Sequence, residues 1–250
     1  MDPFKVHIRT YEGECGFGPS EEILCGPAEI DNVSLRTFFS KQGAAAARSC
    51  ERFLSLWEDK DHQNVMTPGA CVAFSPLAAL PVGLLQSLDA YINDQGENVS
   101  VKTVVAAAVV WTAGGGIDVC ISRLLAGKDH LTGMIMDVAA TQVLNSMHRI
   151  LRRLVKRESV RRFALYPVQE YLPGTGGEGL EHIPWLITMT GADNELDVSV
   201  QKSMMRPIRS RCSVMLLAEG PPDIDLADLR CEPCSGERCL YRQIGGCQLP

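Results

Sequence analysis

No apolar run in the 250-residue sequence reaches the ~20 residues that cross a bilayer; the longest, Val104 to Trp111 and the proline-broken Cys71 to Leu85, fall well short. A membrane-spanning helix is therefore not expected. The opening Met1-Asp2-Pro3-Phe4-Lys5 has neither the apolar core nor the small-residue cleavage site of a secretory signal, so a cytoplasmic, reducing compartment is expected. Five histidines, His7, His62, His130, His148 and His182, show no metal-ligand spacing, and no G-x-S-x-G elbow is present. Classical nucleophile chemistry finds little support in that pattern. The glycine turn Gly114-Gly115-Gly116 lacks the P-loop lysine and the full G-x-G-x-x-G spacing. A strand-to-helix turn needs glycine for geometry alone.

An excess of positive charge is missing too. The chain has 24 Lys and Arg against 30 Asp and Glu, a net charge of −6, which argues against nonspecific nucleic-acid binding. The distribution is uneven. Arg149, Arg152, Arg153, Lys156, Arg157, Arg161 and Arg162 crowd fourteen residues with Glu158 as the one acid among them. Basic residues suit a helix C-terminus through the dipole, and the excess over that need points to an acidic partner or an anionic ligand.

What is present is a globular composition, 46% hydrophobic and 22% charged. A chain of this length buries enough surface to fold without disulfides or a metal. The body is expected to run over 1–222, followed by a cysteine-rich tail over 223–250. Lys5 to Thr10 reads as a strand and Glu12 to Ser20 as a loop. One helix is expected from Asp31 or Asn32 to about Lys60, through Gly43, on the spacing of Leu35, Phe39, Ala46, Cys50, Phe53, Leu54 and Trp57. Cys71 to Phe74 reads as a buried strand, Leu84 to Ile92 as a helix, and Val99 to Trp111 as a strand buried on both faces. A long helix follows Asp129, extended structure resumes over Val160 to Pro167, a short helix lies around His182 to Thr188, and Ser199 to Pro207 and Arg211 to Leu217 read as a turn and a returning strand. Without a regular βαβ rhythm, the expected class is α+β with a twisted, largely antiparallel sheet flanked by helices.

Ten cysteines fall into two groups. Cys15, Cys25, Cys50, Cys71, Cys120 and Cys212 are scattered and are expected to act as small hydrophobes. Cys231, Cys234, Cys239 and Cys247 crowd the last 20 residues as C-x2-C-x4-C-x7-C, a candidate metal site. Structural zinc normally pairs two short clips, whereas only the first spacing here is a clip; an iron–sulfur cluster tolerates irregular spacing. A [4Fe-4S] cluster is favoured over zinc, with inert thiols third.

Several segments, in one order, resemble the reactivation domain of cobalamin-dependent methionine synthase, and more closely its free-standing relatives. They are the Thr112-Ala113-Gly114-Gly115-Gly116-Ile117-Asp118 turn, the Met136-Asp137-Val138-Ala139-Ala140 helix, Arg161-Arg162-Phe163-Ala164-Leu165-Tyr166-Pro167 beside an R-x-x-x-G-Y-P loop, and Ser203 to Ser213 beside an M-x-P-x-x-S-x-S stretch. The C-terminal cysteines stand where free-standing relatives carry theirs, and the likeness spans roughly residues 100 to 247. The resemblance implies a C-shaped α+β domain that binds S-adenosylmethionine in its concave face and helps return oxidised cobalamin on a partner to the methylated state, with electrons from a flavodoxin or ferredoxin. It implies that Arg161 binds the carboxylate of S-adenosylmethionine and that Tyr166 sits beside the ligand or the corrin. The implied partner is a corrinoid protein or a cobalamin-dependent methyltransferase. Leu165 stands where the family has glycine, which predicts weak binding of the methyl donor. The alternative reading is a noncatalytic corrinoid- or partner-binding module with a structural zinc or redox-sensing cysteine site.

Overall fold

The computed structural model describes residues 2–57, 65–94, 103–174 and 179–221. Its centre is a six-stranded sheet in the order β2-β1-β3-β4-β8-β5, built from β1 (Pro3–Thr10), β2 (Glu21–Pro27), β3 (Gly69–Pro76), β4 (Thr103–Thr112), β5 (Leu165–Tyr171) and β8 (Ser210–Glu219). Only β1 and β3 pair in parallel; the other four neighbouring pairs are antiparallel. The protein is thus α+β with a mostly antiparallel, open sheet. β6 (Ser199–Gln201) and β7 (Met204–Arg206) form a separate hairpin where the sequence suggested only a turn.

Strand character explains the middle of the sheet. β4 is Thr-Val-Val-Ala-Ala-Ala-Val-Val-Trp-Thr, a run with no charged residue, and its residues 106–112 are buried. Such a strand has no solvent face to present, so helices must cover both sides. On one side α1 (Asn32–Lys41), α2 (Ala44–Trp57), α4 (Gly115–Ala126) and α5 (His130–Phe163) bury Val6, Ile8, Val72, Phe74, Val109, Trp111, Met215 and Leu217. On the other, α3 (Val82–Asp94) and α6 (Ile183–Thr190) cover Ala73, Ala108, Val110, Val214 and Leu216, and the short α7 (Ala192–Glu195) follows.

Two boundary expectations are corrected. The helix predicted through Gly43 is two helices: Gly43 takes φ 109°, a conformation that L side chains avoid, and α1 closes at Lys41 before α2 starts at Ala44. The apolar stripe runs across the break because both segments pack on the same core. Asp31 does cap α1, its Oδ1 accepting from the Ser34 N–H at 3.0 Å. At the other correction, α5 does not give way at Val160 but continues to Phe163, whose ring lies 5.4 Å from that of Phe74. Ala164 then ends the helix in the left-handed region at φ 56°.

α5 is 34 residues long and reaches both edges of the sheet. Arg152 pairs with Glu170 on edge strand β5, and Arg162 pairs with Glu21 on edge strand β2.

Candidate functional site

The two residues singled out for the methyl donor lie at the α5–β5 junction. Arg161 is on the last turn of α5, and Tyr166, half-buried, is the second residue of β5, opposite Ala218. The Arg161 guanidinium is already engaged: Nη2 and Nε donate to Glu158 Oε2 at 2.6 and 2.9 Å. Arg157 and Arg162 bond the same carboxylate at 3.1 and 3.4 Å. Burial pushes the Glu158 carboxyl up, but the hydrogen bonds and charges of Arg161 and Arg157 outweigh it and hold it below its ordinary range. A ligand carboxylate at Arg161 would have to compete with Glu158. Leu165, where the family has glycine, is packed in the core at 5% exposure.

The opposite end of the sheet joins the other three motifs, two of which, around Asp118 and Ile208, lie ninety residues apart in sequence. β4 spans about 30 Å from Thr103 to Thr112, and at its Thr112 end the glycine turn meets the segment before β8. Asp118 accepts from the Ile208 N–H at 2.5 Å and from Arg209 Nη1 at 2.9 Å, while Arg209 Nη2 donates to Asp137 at 2.6 Å. Thr112 Oγ1 accepts from Ser210 Oγ at 2.8 Å and from the Gly114 N–H at 3.1 Å. The glycines serve this packing: Gly114 has φ 91° with its missing Cβ against Thr67, and a Cβ on Gly116 would lie 2.6 Å from the Val65 carbonyl oxygen. Beside the turn opens a cleft of about 840 Å³ lined by Lys5, His7, Thr67, Gly114, Glu195 and Asp197 among others. His7 Nδ1 lies 3.5 Å from Glu195 Oε2 there.

A third cluster was not anticipated. Between α5 and strands β4, β5 and β8, His148 Nε2 donates to Glu170 Oε1 at 2.7 Å, Arg152 Nη2 and Nε donate to Glu170 Oε2 at 2.5 and 2.6 Å, and Arg211 Nη1 donates to Asn145 Oδ1 at 2.6 Å. The His148 ring stacks on Trp111 with centroids 4.8 Å apart. Glu170 is 2% exposed; burial alone would raise its carboxyl, yet the charges of His148 and Arg152 hold it down to about 2. The signal available beforehand was the spacing of Asn145, His148 and Arg152 along the helix, three and four residues apart. Their facing partners on the strands have no such pattern.

The basic run is partly neutralised: of its seven cations, Arg157, Arg161 and Arg162 meet Glu158 within the run, Arg152 meets Glu170 and Arg162 also meets Glu21. Of the scattered cysteines, Cys50, Cys71 and Cys212 are buried, Cys25 and Cys120 half-buried and Cys15 exposed. Burial pushes the Cys71 and Cys212 thiols up to about 12, which keeps them protonated and inert. Among the described residues no three His, Cys, Asp or Glu side chains gather as metal ligands. Cys231, Cys234, Cys239 and Cys247 lie outside the described residues. Nor is any described helix long and apolar enough to cross a membrane. No protein-family model matches the chain, and no curated protein matches it.

Proposed function

We propose that the protein is an accessory factor of a cobalamin-dependent methyltransferase system, one that supports the reductive reactivation or handling of a corrinoid protein. The observation that carries this reading is the union of Thr112–Asp118 with Ser203–Ser213 through Asp118, Arg209 and Ser210. These are two of the segments that resemble the reactivation domain, and they form one hydrogen-bonded unit on an α+β sheet of the class which that resemblance implies. The four C-terminal cysteines supply the thiolate donor set that an iron–sulfur cluster takes, and a bound cluster would give the protein one-electron chemistry of its own. On the resemblance, Arg161 and Tyr166 would border the bound ligand.

A second reading, a partner-binding module that has lost the methyl donor, draws on one specific observation. Arg161 is held by Glu158 and the Leu165 side chain is in the core, so the junction offers S-adenosylmethionine no guanidinium without a competing carboxylate.

Purification without oxygen, with iron, zinc and sulfide analysis, followed by mixing with a cob(II)alamin-loaded corrinoid protein, a chemically reduced flavodoxin or ferredoxin as electron donor, and S-adenosylmethionine as methyl donor, tests both. The expected result is brown protein containing iron and sulfide, loss of that metal on Cys234→Ser but not on Cys50→Ser, and decay of the cob(II)alamin paramagnetic signal. Stoichiometric zinc with corrinoid-protein binding but no decay supports the second reading. Colourless protein that binds no corrinoid protein overturns both.

A further inference from the structure

Arg149, Arg153, Arg157 and Arg161 recur every four residues along the second half of α5, a stripe that winds gradually around the helix. Arg153, Arg157 and Arg161 are exposed, the last two at 62% and 60%, and Arg149 is half-buried. Arg157 and Arg161 share one carboxylate, Glu158, which also serves Arg162; Arg153 meets no carboxylate among the described residues. The stripe runs about 18 Å at 1.5 Å per residue. It is a linear, cation-rich helix face with too few anions.

We infer that this face is the docking surface for the acidic segment Asp223-Ile224-Asp225-Leu226-Ala227-Asp228 of the same chain. Three observations converge on that occupant. β8 ends at Glu219 in register with Leu165, one residue beyond the α5 C-cap, so the chain leaves the sheet at the Arg161 end of the stripe. Its next acids come at once: Asp223, Asp225 and Asp228 fall within nine residues of Glu219, before the first cysteine of the C-terminal motif. The lengths agree, since an extended stretch from Asp223 to Asp228 spans about 17 Å. Asp223 and Asp225, two residues apart, would stand about 6.6 Å apart on an extended chain, close to the ~6 Å between arginines four apart on a helix. Docking brings the cysteine segment to the arginine face.

This inference stands apart from the corrinoid reading, because it requires no corrinoid protein. Hydrogen exchange by mass spectrometry on the full-length chain tests it at low salt. Peptides covering 222–229 are expected to be protected in the wild type. The variant Arg153→Glu/Arg157→Glu should lose about ten-fold of that protection, and adding Asp225→Arg/Asp228→Arg should restore most of it. Peptides from β4 and β8 report that each variant is folded. Protection should also fall as ionic strength rises from about 0.05 to 0.5 M, where screening shortens to a few ångströms. An unprotected tail in the wild type, or protection indifferent to the charge reversal in folded protein, overturns the inference. Protection that rises with protein concentration places the tail on a second copy and overturns it as well.

Discussion

Glu170 provides the sharpest energetic test. Its carboxylate is buried at 2% exposure between His148 Nε2 and Arg152 Nη2, and its folded value is about 2 against an ordinary 4.5. A carboxyl whose value is depressed by folding contributes stability that is complete above its unfolded value and lost as pH falls through the folded one. The window is therefore pH 4.5 down to about 2, in which the unfolded chain binds more protons than the folded one. At 1.36 kcal/mol per pH unit the depression corresponds to about 3 kcal/mol. Glu170→Gln keeps the shape but removes the buried negative charge that His148 and Arg152 face, so its cost at pH 7 should be about 3–5 kcal/mol, as for breaking a buried pair. Near pH 2 the carboxyl is about half protonated in the folded wild type and fully protonated in the unfolded chain, so most of the linked stability is lost and the gap should narrow to about 1 kcal/mol. Urea unfolding followed by circular dichroism at pH 7, 5, 3.5 and 2.5, wild type against variant, measures this. Asp31, Glu21 and Glu158, whose carboxyls are also held low, are common to both proteins and cancel in the difference. A gap that stays constant from pH 7 to 2.5 would refute the assignment of Glu170 as the ionised centre of the cluster.

Two further substitutions follow from packing. Gly116→Ala puts a Cβ 2.6 Å from the Val65 carbonyl oxygen, and should lower stability by about 1–3 kcal/mol in thermal unfolding, whereas Gly26→Ala, where a Cβ meets nothing within 4 Å, should change it little. Leu165→Ala empties a core position and should cost about 2–5 kcal/mol without any gain in S-adenosylmethionine affinity by calorimetry; a gain would show that Leu165 faces the ligand after all.

The parts of the fold that could be read from sequence are those where one period or one residue type dominates. The charge-free β4, the apolar spacing along α5 and the Asp31 cap each announce themselves locally. β2 does not, because Glu21-Glu22-Ile23-Leu24-Cys25-Gly26-Pro27 carries its charges on an exposed edge and acquires strand form only by pairing with β1. The end of α5 was misplaced because Val160 and Phe163 favour strands in isolation, while Glu158, Ser159 and the Phe74 contact extend the helical face through them. The Arg161 pattern was visible, but its partner was not: Glu158 stands three residues earlier in the same basic run, where it reads as one acid among seven cations rather than as the carboxylate that three of them share. Glu170 was invisible for a related reason, since nothing in Gln169-Glu170-Tyr171 tells that the middle residue faces a helix carrying His148 and Arg152.

The span of α5 from one sheet edge to the other has a mechanical meaning. In an ordinary open sheet the outer strands fray first and the centre melts last. Here Arg152–Glu170 and Arg162–Glu21 tie both margins to one rod; β5 cannot peel away without uncovering a buried ion pair, whereas the pair on β2 is partly exposed and holds it less firmly. Amide exchange along β5 should therefore follow the slow clock of β4 rather than the fast one of a free border, and β5 should open only when the rod itself lets go.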